Sequence, residues 1–317
     1  MQLIANNSDL QLIAQNQLQS ALLDDVRRYA ALSMSPNTRR AYSADLRRFT
    51  RWGGGIPALP ETVAAYLAAH ASTHKSATLQ RWIASISRAH LAAGHLDPTK
   101  AEPTISTLRG IRRSKYAAPK EARPLLRDDL FAILDAMKGS VRDVRDRALL
   151  LIGFAGGFRR SELVALDIVD IQIVKHGLLI AIHKSKTDQM GLGRQIAVPF
   201  GRSRHCPVDA FEKWVNVMDS DPGPLFRPIN RYGLIGKSRL SGGAVSEIVK
   251  ERVAAIGMDP IGFSGHSLRS GFVTSAAEAG VSSWKIRQQT GHASDTMLAR
   301  YIRSAKLFEG NASSAII

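Results

Sequence analysis

Apolar residues recur every three or four positions through much of the chain. Ser35-Pro36 is a serine suited to cap a helix, followed by the proline that suits a first helical turn. In the segment NTRRAYSADLRRFTRW that follows, Tyr42, Leu46, Phe49 and Trp52 share one face, and Gly53-Gly54-Gly55 ends the run. Residues 11–31 carry a similar period in Leu18, Leu22, Leu23, Val26 and Tyr29. Further helices are expected over 60–71, over 76–94, and as a short one over 108–113. Residues 1–118 therefore read as all helix.

Tyr116 to Pro124 breaks the period with two prolines and small or charged residues, and residues 119–124 are expected to link two domains. Residues 125–317 form the second. Helices are expected there over 127–138 and 141–156. The pattern then changes to period two over 169–174, turns at His176-Gly177, and resumes over 178–183 and 195–199. The polar stretch Lys184-Ser185-Lys186-Thr187-Asp188 separates the last two strands. Helical periodicity returns over 208–219, 242–256, 266–279, 283–290 and 294–303. The expected fold is mainly α: a helical N-terminal domain, then a mixed α/β domain with a small antiparallel sheet.

Composition narrows the function. The 317 residues hold 43 Lys and Arg against 27 Asp and Glu, a net charge of +16. The excess divides evenly, eight positive charges before residue 122 and eight after it. A polyanion engaged by both domains is the first expectation. Cys206 is the single cysteine, so no internal disulfide can form and a reducing compartment is expected. The longest apolar stretch, 148–158, falls short of the roughly 18 residues a membrane span requires. No basic segment leads an apolar run at the start of the chain, so no signal peptide is expected. The expected location is the cytoplasm.

Four places could carry chemistry. In Gly265-His266-Ser267-Leu268-Arg269, the histidine and arginine sit three apart in a first helical turn, where free N–H groups favour an anion. Gly291-His292 precedes a helix on which Tyr301 stands between Arg300 and Arg303, cations that favour a phenolate. In Gly156-Gly157-Phe158-Arg159-Arg160-Ser161-Glu162-Leu163, Glu162 can cap a helix and orient an arginine. The 184–188 stretch offers a lysine as a proton donor. Taken singly, each has an ordinary structural reading: a satisfied histidine, an amphipathic tyrosine, a capped loop, a charged hairpin tip.

Their order is more specific. Arg159-x-Ser161-Glu162-Leu163, a sheet with Lys186, His266-x-x-Arg269, Gly291-His292 and Tyr301 together resemble the tyrosine recombinase (phage integrase) family. Ser35-Pro-Asn-Thr38 with Tyr42, Asp45, Phe49 and Trp52 resembles that family's helical core-binding domain, so the likeness spans nearly the whole chain. Phe263-Ser264-Gly265-His266-Ser267, Ala279 to Ser282 and the short tail after Tyr301 are similar to the branch that includes Cre recombinase.

The resemblance implies a site-specific DNA recombinase that works through a 3′-phosphotyrosyl bond and a Holliday junction. Tyr301 is the implied nucleophile and Arg159 and Arg269 the phosphate clamps. Lys186 is the implied general acid, chosen over Lys184. His266 accepts the tyrosine proton or bonds the phosphate, His292 stands where some members have tryptophan, and Glu162 positions the cluster. Arg159 is preferred to Arg160 because it sets Ser161-Glu162-Leu163 in the family register. No metal or other cofactor is implied, because the cations do a metal's work. The implied partners are double-stranded DNA with an inverted-repeat site and three further copies of the chain, docked through residues 304–317. Competing readings are a relaxing enzyme of the type IB topoisomerase kind and a DNA-binding regulator without chemistry.

Candidate DNA contacts are Arg39, Arg40, Arg47, Arg51, Arg81 and Arg88 in the first domain and Arg231, Lys237, Arg239, Lys250 and Arg252 in the second. Most are expected to meet phosphate, which positions the protein without reading sequence.

Overall fold

The computed structural model describes residues 22, 24–26, 28–30, 33–115, 122–183, 193–218, 222–292, 294–296, 298, 299 and 301. Its contacts divide the chain into two units, Met1–Ala118 and Pro119–Ile317.

The first unit holds helices α1 (Pro36–Trp52), α2 (Pro60–Ala69), α3 (Ser76–Ala92) and α4 (Glu102–Ser114). The Ser35 hydroxyl accepts the Thr38 N–H at 3.2 Å and starts α1. Phe49, Val63, Tyr66, Leu67, Leu79, Trp82, Ile86 and Ile111 form one buried cluster. Each side chain of that size contributes roughly 1.5–3 kcal/mol by leaving water. Trp52 lies at the cluster's margin and keeps 38% of its surface.

Asp45 takes an inner position on α1 that an apolar pattern does not show. It is 4% exposed, and its carboxylate accepts from Arg81 Nε and Nη2, both at 2.8 Å, and from Ser85 Oγ at 3.1 Å. Two of the three Arg81 nitrogens thus hold α3 to α1. The short helix expected over 108–113 needs correction. It begins at Glu102, because Pro103 can occupy its first turn and Thr104 buries its hydroxyl against the Pro60 and Pro98 carbonyls.

The second unit runs α5 (Arg127–Asp135), α6 (Val141–Ala155), α7 (Arg160–Ala165), β1 (Ile171–Val174), β2 (Gly177–Ile182), β3 (Arg194–Pro199), α8 (Pro207–Val217), α9 (Gly242–Ala255), α10 (His266–Glu278) and α11 (Ser283–Thr290). The sheet is antiparallel in the order β1-β2-β3. Leu178 pairs with Val198 and Ile180 with Ile196, so alternate residues of both strands enter the core. The first strand starts at Ile171, not at 169. Residues Ile168–Asp170 form a 3₁₀ turn in which Asp170 Oδ2 accepts the Asp167 N–H at 2.8 Å.

Helix α6 is the central rod. Ser140 and Asp143 close its N-terminus in a capping box, and Ala148, Leu149, Leu150, Leu151, Ile152 and Gly153 are all buried. The chain before α5 is tied to the start of α10: Arg123 N donates to Gly262 O at 2.9 Å and Leu125 N to Ser267 O at 3.0 Å. That backbone pairing fixes the first turn of the helix bearing His266 and Arg269. Residues 295, 296, 298, 299 and 301 are helical, and Leu298 and Tyr301 pack with Val273, Ala277 and Ile286.

Candidate active site

Four of the residues singled out in the sequence, with a fifth that was not, form one connected cluster at the ends of α6, α10 and α11. Glu162 is its centre. It is 3% exposed and caps α7, its Oε2 accepting the Arg159 N–H at 2.9 Å. Its Oε1 accepts Arg159 Nη1 at 2.7 Å, and Oε2 also accepts Arg194 Nη2 at 3.0 Å. One buried carboxylate thus holds two guanidiniums. The neighbouring Arg160 takes another direction, with Nη1 donating to Ser246 Oγ at 3.2 Å.

Arg159 is fastened at its far end too, Nη2 donating to the Gly291 carbonyl at 3.0 Å. Arg269 is 2% exposed and its Nη1 donates to the carbonyls of Gly157 at 2.7 Å and Thr290 at 2.6 Å. Gly157 and Gly291 both lie in the left-handed region, at φ 57° and 65°. A Cβ on Gly157 would meet the Thr290 methyl at 2.8 Å, and one on Gly291 would collide with Arg194 Nη1. Glycine at both places lets backbone carbonyls point at the arginines.

The electrostatics follow from crowding cations out of water. Burial, then Arg159 and Arg194, push the Arg269 guanidinium down to about 10, while Glu162 and Tyr301 oppose that shift. Burial likewise lowers Arg194, with Arg159 adding to it and Glu162 opposing. His292 is pushed down to about 3, first by burial and then by Arg269, Arg159, His266 and Arg194, so its ring is neutral near pH 7. Thr290 Oγ1 donates to Ile286 O at 2.7 Å and lies 2.7 Å from His292 Nδ1. With its one proton committed, that hydroxyl accepts, which puts the histidine proton on Nδ1 and a lone pair on Nε2.

Above this buried layer, His266 Nε2 and the Tyr301 hydroxyl are 3.2 Å apart. His266 is exposed and Tyr301 half-buried, so both reach the opening of the site. Arg269 Nη2 and Arg194 Nε are buried and have no hydrogen-bond partner. A phenol beside an imidazole, close enough to a buried guanidinium for their charges to interact, suits an anion attacked by an oxygen nucleophile.

Lys186 falls outside the described residues, as does the tail from residue 302. Among the described residues no group of three or more His, Cys, Asp or Glu could hold a metal ion, and no helix is long and apolar enough to cross a membrane.

Sequence reading missed Arg194. The arginine that opens a strand pattern carries no local sign of a partner 32 residues earlier.

The candidate DNA contacts separate by how their charges are used. Arg39, Arg47, Arg51, Arg231 and Lys237 are exposed, Arg40 meets the Asn37 side chain, and Arg88 reaches Ser33 at 3.3 Å. Lys250 pairs with Glu247 at 3.1 Å. Arg239 and Arg252 have partners within their own unit. Arg239 Nη1 donates to the Val164 and Leu166 carbonyls and Nη2 to Asp167, while Arg252 holds Asp143 and Asp146, both at 2.6 Å. Both guanidiniums bind segments of their own unit together.

Residues 123–307 match the phage integrase family. An integrase/recombinase xerD homolog of Selenomonas ruminantium is 36% identical, over 98% of this chain and 90% of that protein. Recombinase cre of Escherichia phage P1 is 28% identical, over 78% of this chain and 77% of its own length. Among solved structures, a lambda integrase dimer bound to a COC′ core site overlays 94% of this chain and 82% of that one, with TM-score 0.61 at 19% identity. A lambda integrase tetramer bound to a Holliday junction gives TM-score 0.60 at 21% identity, over 90% and 76%. The family match takes in every element that builds the cluster, and the Selenomonas protein aligns almost from end to end: this chain belongs to the phage integrase family and is a tyrosine site-specific recombinase.

Proposed function

We propose that the chain cuts and rejoins double-stranded DNA by direct transesterification at the cluster around Glu162. Tyr301 Oη attacks the scissile phosphorus. Its proton passes to His266 Nε2, the phosphorus–O5′ bond breaks, and the 5′-oxygen leaves with a proton from Lys186. The product is a 3′-phosphotyrosyl ester and a free 5′-hydroxyl. Because the ester conserves the bond, a 5′-hydroxyl from a second duplex can reverse the step without an energy source. The same step, one strand at a time, passes through a Holliday junction. Arg159 and Arg269 hold the non-bridging oxygens, and Glu162 holds Arg159. His292 donates to the phosphate once the arriving anion has drawn a proton onto Nε2.

The observation that carries this reading is the 3.2 Å approach of His266 Nε2 to the Tyr301 hydroxyl, one helical turn from Arg269. A general base must reach the proton it removes. Residues 1–118 serve as the core-binding domain, 119–124 as the linker and 125–317 as the catalytic domain. Arg39, Arg40, Arg47, Arg51, Arg231 and Lys237 meet phosphate. Four copies assemble on two inverted-repeat sites by exchanging residues 304–317, and the work is done in the cytoplasm.

The test is covalent capture. The protein is incubated with a pool of random-sequence duplexes and denatured in detergent, and protein-linked DNA is recovered. Wild type is expected to enrich an inverted repeat with a 3′-linked strand, and Tyr301→Phe to recover none. Equal recovery by the variant overturns the assignment of the nucleophile. Capture of any sequence, with relaxation of plasmid lacking a selected site, replaces recombination by simple relaxation.

A further inference from the structure

We propose that Arg194 is a positioning residue for the cleavage step, an inference that rests on the reaction proposed above. Arg194 opens β3, yet its guanidinium belongs to the active cluster. Nη2 donates to Glu162 Oε2 at 3.0 Å and Nη1 to the Gln289 carbonyl at 3.3 Å. Glu162 side-chain exposure is 1%, so water does not screen the pair as it would at the surface. The same carboxylate orients Arg159 through Oε1. A buried carboxylate held from one side only can tilt. Arg159 holds Oε1 with its guanidinium and Oε2 with its backbone N–H, and Arg194 adds a second donor to Oε2 from another strand, which makes the carboxylate a fixed post for the phosphate-binding guanidinium.

Arg194 also holds Gln289, which ties three pieces of chain together. Gln289 donates its side-chain amide to Ala155 O at 3.0 Å and to Ala197 O at 3.1 Å, while its backbone carbonyl receives Arg194. The start of β3, the end of α6 and the last turn of α11 are thereby joined just before Gly291 and His292. Gly291 has no room for a Cβ because Arg194 Nη1 occupies that place. In sequence, Arg194 lies eight positions after Lys186.

Charge gives a second reason. Arg159, Arg194 and Arg269 with Glu162 leave two uncompensated positive charges in a site shielded from water. A phosphodiester carries one negative charge, and attack by an oxygen nucleophile adds a second at the transition state. Arg194 therefore adds one positive charge to those, Lys186 included, that face the second negative charge as it develops.

The experiment uses a duplex recovered by covalent capture with wild-type protein. Single-turnover cleavage rate and dissociation constant are measured on it for wild type, Arg194→Ala, Arg194→Gln and Arg194→Lys, each first checked by thermal unfolding. Arg194→Ala and Arg194→Gln are expected to cleave about 10- to 100-fold more slowly, with the dissociation constant within about twofold. Arg194→Lys, which keeps a charge beside Glu162, is expected to recover part of the rate. With Glu162→Gln added, Arg194→Gln is expected to cost little more than Glu162→Gln alone, since both act through one post. If Arg194→Ala does not fold, Arg194→Gln and Arg194→Lys carry the test. A variant that cleaves at the wild-type rate, or loses binding and rate equally with no recovery by lysine, overturns the inference. Absence of any wild-type adduct would instead remove the reaction itself.

Discussion

The carbonyl of Gly157 accepts a 2.7 Å hydrogen bond from Arg269 Nη1, although the two residues lie 112 positions apart. The relation is nearly reciprocal. Arg269 also donates to Thr290 O, and Arg159, two residues after Gly157, donates to Gly291 O, one residue after Thr290. Each arginine is thus held by the backbone turn next to the other's support. Lysine cannot copy this, because Arg269 Nη1 alone holds both carbonyls and leaves Nη2 without a partner, whereas a single ammonium held there has no second nitrogen to offer. Arg269→Lys is expected to lower single-turnover cleavage by about 100-fold or more while the fold persists. A Lys variant within tenfold of wild type would contradict the fork's role.

His266 beside Tyr301 makes a prediction about pH. If the imidazole takes the phenol proton, His266→Gln is expected to slow cleavage by about 100-fold near neutrality, the usual scale of general-base assistance. Raising the pH lets hydroxide supply phenolate without the imidazole. The deficit of the variant is therefore expected to shrink between pH 7 and pH 9.5. A constant ratio across that range would place His266 in phosphate binding alone.

Much of this site could be read along the chain, and the reason is local. His266 and Arg269 share a helical turn, and Arg159 and Glu162 share a helix start, so sequence distance predicts their proximity. Arg194 and Asp45 are different. Arg194 meets Glu162 only after β3 folds back against α7, and Asp45 meets Arg81 only when α1 packs on α3. In sequence both look like solvated charges between apolar positions, because a period reports which face turns inward but not which charge will find a counter-charge there. Arg239 and Arg252 repeat the lesson, being basic residues near a basic helix that the fold uses for its own carbonyls and carboxylates.

The Asp45–Arg81 pair separates structural from DNA-facing charge. Arg81→Ala strips two donors from the Asp45 carboxylate, which is buried in the native fold, and leaves Ser85 as its remaining side-chain donor. The expected loss is about 1–3 kcal/mol in denaturant unfolding. The slope of DNA affinity against salt is expected to stay unchanged. Arg47→Ala and Arg51→Ala, on exposed positions of α1, are expected to leave stability alone and reduce that slope by about 1 each. A reduced slope for Arg81→Ala with unchanged unfolding would exchange the two assignments.

His292 links the site to acid stability. In the folded chain, burial and the cations Arg269, Arg159 and Arg194, with His266, hold its pKa down to about 3, against an ordinary value of about 6.5 once unfolded. The unfolded state therefore binds a proton that the native state refuses. Stability from this group is intact above about pH 6.5 and is lost as pH falls from there toward 3, by at most about 1.4 kcal/mol per pH unit. His205, also lowered by burial, titrates in the same window and stays as a constant background in both proteins compared. Asp97, Asp135 and Asp143 are lowered from ordinary carboxylate values, so their losses are centred at lower pH. Denaturant unfolding of wild type and His292→Gln between pH 7 and pH 4.5 isolates the effect, because glutamine keeps a polar group but takes no proton. The wild-type curve is expected to fall more steeply, the two diverging below pH 6.5. Parallel curves would mean that His292 accepts its proton as readily in the folded site as in water, which a ring crowded by three guanidiniums should not do.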